Sequence, residues 1–195
     1  MLDAGLAHED IATVGGQSLR DYADEPVMED DKLTWRKLPP ESADETMLRP
    51  PATPFKPDGG LRLLTGNLGR GIIKVSAVEK QHRTIHAPAK VFPSQEHVLA
   101  AYEAGALESD TAIVVINQGP RGNGMPELHK LTPALGVLQD KGYQVALITD
   151  GRMSGASGKI PAAIQITPEA KLGGLIGKLR DGDIIALDSD AGTLD

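Results

Sequence analysis

Two glycine-studded segments hold most of the residues able to bind an anion or a metal. They are Asn117-Gln-Gly-Pro-Arg-Gly-Asn-Gly-Met-Pro-Glu-Leu-His129 and Thr149-Asp-Gly-Arg-Met-Ser-Gly-Ala-Ser-Gly-Lys159. In the first, Gly119, Gly122 and Gly124 permit backbone conformations closed to other residues. The spacing predicts that Glu127 falls in the first turn of a helix, where the dipole favours a carboxylate. From there it either ligates a hard cation such as Mg²⁺ or satisfies the amides left unpaired at the helix start. The second segment leaves the end of an apolar run, where open α/β sheets place their sites. Ser154, Ser157, Arg152, Lys159 and three glycines in one loop offer amide donors and two cations to an anion. It is not a P-loop, because Met153 stands where the first glycine should be and Ile160 replaces the hydroxyl residue. Nor is it a nucleophile elbow, since neither serine has glycines at both flanking positions. A generic anion-binding turn is the simpler alternative.

Composition narrows the chemistry. None of the 195 residues is cysteine, which excludes disulfides, thiolate zinc sites and a self-contained iron–sulfur cluster. A metal here is held by oxygen or imidazole, or is shared with residues outside the chain. The histidines (His8, His82, His86, His97 and His129) show no helical pair spaced for zinc, so surface or structural roles are expected. A formal net charge of −7 argues against a binder that tracks a nucleic-acid backbone. No segment approaches the roughly 20 apolar residues that span a bilayer. Met1-Leu-Asp-Ala-Gly5 lacks a basic, then apolar, secretory pattern, so the cytoplasm is the expected compartment.

The elements that must position these loops are legible from residue 61 onward. Gly71 to Val78 and Thr84 to Phe92 read as strands, rich in β-branched residues or alternating. Ser94 to Leu107 reads as a helix with Ser94 as its cap. Asp110 to Asn117 and Gln144 to Asp150 contain apolar runs expected as buried strands. Pro126 to Asp140 reads as a helix from the stripe of Leu128, Leu131, Leu135 and Leu138, with a kink or break expected at Pro133. Ile184 to Asp188 is a final strand. Strand, helix, strand, helix, strand indicates an α/β layer. The early strands have no helix between them, which suggests an antiparallel or barrel-like sheet and hence a mixed β/β/α domain.

Residues 1–60 read differently. A short helical stretch from Leu2 to Ile11 precedes an acidic run from Asp21 to Asp31. Pro39-Pro40, Pro50-Pro51, Pro54 and Pro57 then lead to Gly59-Gly60. Proline fixes φ and removes donors, so the segment is expected to be a linker running over a surface, or else disordered.

Together these segments resemble the dihydroxy-acid and 6-phosphogluconate dehydratase family. The match is carried by Gly66-Asn-Leu-Gly-Arg70, Lys74-Val-Ser-Ala77, Gln118-Gly-Pro, Gly124-Met-Pro-Glu-Leu-His-Lys130 and Thr149 to Lys159. It extends from near residue 1 to the end of the chain. The Glu-Leu-His-Lys and Ser-Gly-Ala-Ser-Gly-Lys wording is similar to the phosphogluconate branch.

The resemblance implies the family's carboxy-terminal swivelling β/β/α domain over residues 61–195. Residues 1–60 would then be a linker and the tail of a large amino-terminal domain. It also implies loss of water from a 2,3-dihydroxy acid, giving an enol that tautomerises to a 2-keto-3-deoxy acid. In the phosphogluconate branch that step belongs to the Entner–Doudoroff pathway. In the family, Mg²⁺ binds the substrate carboxylate and 2-hydroxyl, and an iron–sulfur cluster (4Fe-4S) acts on the leaving 3-hydroxyl. Glu127 matches the carboxy-terminal Mg²⁺ ligand, and Ser154 matches the serine proposed as base on carbon 2. Arg152, Ser157 and Lys159 match positions suited to binding the substrate. The cluster ligands and remaining Mg²⁺ ligands would lie outside this chain, which alone is then expected to be inactive. A homodimer is the expected assembly of the complete protein. The readings left open are a dehydratase of another sugar acid or dihydroxy acid, and a non-catalytic ligand-binding domain of the same fold.

Overall fold

The structure, a computed structural model, describes residues 1–154 and 158–195. The chain divides into two compact units, Met1–Pro57 and Asp58–Asp195.

In the first unit, the stretch expected as a helix from Leu2 to Ile11 forms only turns and bends. The acidic run expected as linker is instead a β-hairpin, β1 (Asp24–Glu29) paired antiparallel with β2 (Lys32–Lys37). Its two-residue turn has Asp30 and Asp31 at φ 49° and 61°. Aspartate tolerates this left-handed region better than most residues, and the turn's twist suits a hairpin. The register sets Asp24 opposite Lys37 and Glu25 opposite Arg36, and both pairs form ion pairs. The charges read as a sign of linker are therefore cross-strand partners. Residues 38–57 carry no helix or strand.

The second unit is a barrel. Among the described residues, eight strands close in the order β10-β3-β4-β8-β7-β6-β5-β9. They are β3 (Leu61–Gly66), β4 (Gly69–Lys74), β5 (Thr84–Phe92), β6 (Thr111–Val115), β7 (Val145–Thr149), β8 (Ala162–Thr167), β9 (Ile184–Asp188) and β10 (Thr193–Leu194). β5, β6, β7 and β8 run parallel, whereas β3–β4, β4–β8, β5–β9 and β9–β10 are antiparallel. The early strands thus join the parallel ones in one closed sheet. Gly66 to Arg70 closes the β3–β4 hairpin; Gly69 sits at φ 110°, and a Cβ there would lie 2.3 Å from the Thr167 carbonyl oxygen.

Side chains in β6 and β7 alternate between two cores, as strand geometry requires. Ala112, Val114, Ala146 and Ile148 join Leu64, Ile73, Ile85 and Leu187 in one cluster. Ile113, Val115, Val145 and Leu147 pack with Val98, Leu131, Leu135 and Leu138 in the other. The second cluster covers the strands with α1 (Gln95–Glu103) and α3 (Leu131–Asp140). Burial on both faces explains why these strands read as unbroken apolar runs.

The helix expected from Pro126 begins only at Leu131, so Pro133 lies in its first turn and no kink is needed. Ahead of it, α2 (Pro120–Asn123) is a single turn. The sequence did not announce β3, β8 or β10, and the strand expected from Gly71 to Val78 runs instead from Gly69 to Lys74; prolines at 161 and 168 bracket β8. Among the described residues, no helix is long and apolar enough to cross a membrane.

Candidate functional site

The two glycine-rich loops meet because the strands they leave are neighbours. β6 and β7 pair in parallel with Val115 opposite Thr149, so both chains exit at the same end. The loops then pair directly: Glu127 and Arg152 form an isolated parallel β-bridge, and the Leu128 amide donates to the Arg152 carbonyl at 3.1 Å. Leu128 and Met153 turn into the core. Alternation sends Glu127, Arg152 and Ser154 the other way.

This corrects the expected position of Glu127. It lies in an extended segment four residues before α3, not in the first turn of a helix. Its carboxylate satisfies no amide of α3. Oε1 accepts the backbone amide of Ser154 at 2.6 Å, and Oε2 accepts Nη1 of Arg152 at 3.0 Å. Nε of Arg152 donates to the Met125 carbonyl at 3.1 Å, which fixes the plane of the guanidinium. The Glu127 side chain is 22% exposed and that of Arg152 48%.

Ser154 lines a cleft of about 30 Å³ with Lys74, above an apolar floor of Met153, Ile160 and Ala162. That is room for about one water molecule. Lys74 comes from the end of β4, so the cleft joins the antiparallel part of the barrel to the loop after β7. Lys159 points elsewhere: its Nζ pairs with Asp140 at the end of α3, beside Gln139 and Tyr143. Ser157 lies outside the described residues.

Two buried carboxylates hold this frame, and the sequence reading gave neither a role. Asp150, 1% exposed, accepts the Gln118 amide at 2.8 Å through Oδ1 and the Ala170 amide at 2.9 Å through Oδ2. Glu169 accepts the amides of Arg121 and Gly122 at 3.0–3.1 Å. Gln118, also buried, donates to the carbonyls of Pro93 and Ile116. Asp150 could have been suspected from its place directly after a buried strand. Glu169 carried no local signal, because its partners are about 48 residues away in sequence. A cleft of about 340 Å³ is lined by Asp150, Glu169, Met125, Arg121, Gln165 and Thr167, so it shares this frame.

Among the described residues, no three His, Cys, Asp or Glu side chains gather to hold a metal. A metal bound at Glu127 would therefore need ligands besides this carboxylate. The hard, partly exposed carboxylate of Glu127 already faces a cation through Oε2, so it fits a role as one Mg²⁺ ligand. With no cysteine in the chain, the residues here do not fit an iron–sulfur cluster.

Comparison with known proteins agrees with these loops. Residues 46–195 match the family described as dihydroxy-acid/6-phosphogluconate dehydratase, C-terminal. Over its whole length the chain is 58% identical to a phosphogluconate dehydratase of Pseudomonas aeruginosa, 54% to one of Zymomonas mobilis and 51% to one of Escherichia coli strain K12. In each case it covers 32% of the relative. The chain thus spans about a third of the length of the curated relatives it matches.

Proposed function

From the premise that the chain belongs to the dihydroxy-acid/6-phosphogluconate dehydratase family, we propose that it is the carboxy-terminal part of a hydro-lyase. Its substrate would be 6-phospho-D-gluconate and its product 2-keto-3-deoxy-6-phosphogluconate. One observation carries the reading: identity of 58% over the whole chain to a phosphogluconate dehydratase, with Glu127, Arg152 and Ser154 together on one face.

In this reading Glu127 is one ligand of Mg²⁺. Bound there, the metal would supply Lewis acidity to the proton on carbon 2. Ser154, ionised to its alkoxide, takes that proton and becomes the neutral hydroxyl. A serine hydroxyl is a very weak acid, so it needs positive charge close by to ionise. Lys74 lines the same cleft and supports this role. The Glu127 carboxylate, bonded to the Ser154 amide, holds the serine backbone in place. Arg152 is suited to the substrate's anionic groups, and Ser157 and Lys159 are assigned to substrate binding. The ion pair of Lys159 with Asp140 would have to open for that.

The remaining Mg²⁺ ligands and a 4Fe-4S cluster belong, in this reading, to a preceding domain of a longer, cytoplasmic and homodimeric protein. Residues 1–60 would be that domain's tail and linker. The exposed face of the hairpin, with Met28, Leu33 and Trp35 each more than half exposed, supports a partner there.

The test is a panel of sugar acids and dihydroxy acids offered to the longer protein that contains this chain. Turnover of 6-phosphogluconate well above pentonates, gluconate and branched dihydroxy acids is the expected result. A preference for another acid would leave the reaction class and overturn the substrate.

A further inference from the structure

Both oxygens of Glu127 are engaged, but by different kinds of partner. Oε1 holds a backbone amide that is fixed by the bridge between the loops. Oε2 holds the guanidinium of a half-exposed side chain. A metal approaching this carboxylate would meet the Ser154 amide at Oε1 and a replaceable cation at Oε2. Mg²⁺ binds oxygen at about 2.0–2.1 Å and tolerates little distortion of its shell. A guanidinium nitrogen 3.0 Å from the same oxygen would then face a double positive charge at close range. The two cations compete for one oxygen.

We propose that Arg152 holds the cation position at Glu127 Oε2 until a divalent metal displaces it. The released guanidinium then meets an anionic group of the substrate, so metal and substrate bind with positive coupling. The proposal rests on the reading of Glu127 as a metal ligand. Arg152 keeps its second anchor, the Nε bond to the Met125 carbonyl, so the displaced head swings about that point instead of leaving the site. Ser154 keeps Oε1 in register throughout. The exchange also avoids stranding an unpaired carboxylate when the metal is absent, or an unpaired guanidinium when both ligands are present.

The experiment titrates Mn²⁺, followed by electron paramagnetic resonance, into the longer protein that contains this chain. Each titration is run with and without 3-deoxy-6-phosphogluconate, which lacks the leaving hydroxyl. In the parent, the analogue should tighten Mn²⁺ binding. Arg152→Gln should tighten Mn²⁺ binding without the analogue by about two- to five-fold, the scale of a partly exposed ion pair. The same variant should lose the analogue's effect on the metal. Arg152→Lys, which keeps a cation but not the fork, should fall between the two. Unchanged or weaker Mn²⁺ binding in Arg152→Gln overturns the exchange. Glu127→Gln separates the two failures. If it weakens Mn²⁺ while Arg152→Gln does nothing, only the exchange is wrong. If Glu127→Gln leaves Mn²⁺ binding unchanged, the ligand reading fails and takes the proposal with it.

Discussion

The carboxylate of Glu169 occupies the space that a side chain at position 119 would need. A Cβ built on Gly119 would lie 2.1 Å from Glu169 Oε2, a separation that no packing permits. The glycine lets a buried carboxylate close on the amides of Arg121 and Gly122 and so fixes the loop that leads to Glu127.

Gly119→Ala should therefore push Glu169 off those amides. Donors left without acceptors cost about 1–3 kcal/mol. The expected result in urea titration of the protein is a lower midpoint, equivalent to a loss of unfolding free energy of that size. Glu169→Gln should cost less, because an amide oxygen still accepts one bond. If Gly119→Ala unfolds at the parent's midpoint, the loop does not depend on this contact.

A second prediction concerns Ser154. In the longer protein, Ser154→Ala should lower kcat by about 10²- to 10⁴-fold with little change in substrate binding, as loss of a general base does. Exchange of the carbon-2 proton with solvent deuterium should fall with it. Ser157→Ala should act mainly through binding. Near-normal exchange in Ser154→Ala, or a larger kcat loss in Ser157→Ala, would remove Ser154 from the role of base.

The chain by itself should neither dehydrate sugar acids nor hold an iron–sulfur cluster, because it has no cysteine. Anaerobic reconstitution with iron and sulfide, followed by absorption spectroscopy and assay, checks both points. Stoichiometric cluster binding or turnover would contradict them.

At the start of α1, the Ser94 hydroxyl and then the residue's own amide hold the Glu96 carboxyl below the usual glutamate range. A depressed folded pKa contributes stability above the unfolded value and loses it as pH falls through the folded one. The contribution is thus present at neutral pH and disappears in acid. Ser94→Ala should raise the Glu96 pKa towards its ordinary value, as read by carbon-13 NMR titration of the side-chain carboxyl. An unmoved titration would leave the hydroxyl with its other partner, Nδ1 of His97 at 3.0 Å.

Much of the site was legible from residue types. The two loops, Glu127, Arg152 and Ser154 stand out because glycine, carboxylate, guanidinium and hydroxyl follow apolar runs. Those runs are readable because β6 and β7 are buried on both faces, which demands apolar residues at every position. The Thr84 to Phe92 and Ile184 to Asp188 strands were also plain, with bounds that the structure repeats. The hairpin of β1 and β2 was not, because its charges make sense only once the register sets acid opposite base.

What the sequence by itself determined is the chemistry available: which groups lie near one another along each loop, and that no thiolate is among them. The tertiary structure decided which groups meet. Glu127 looked like a helix-start residue because the leucine stripe runs through Leu128 without a break. The structure uses Leu128 to anchor an extended bridge instead, since pairing with Arg152 satisfies backbone groups that a longer helix would have satisfied internally. That choice depends on β6 and β7 being parallel neighbours, a relation between residues more than 30 apart. Local spacing cannot encode it. The same holds for Lys159, which the sequence places in the serine loop and the fold turns towards Asp140.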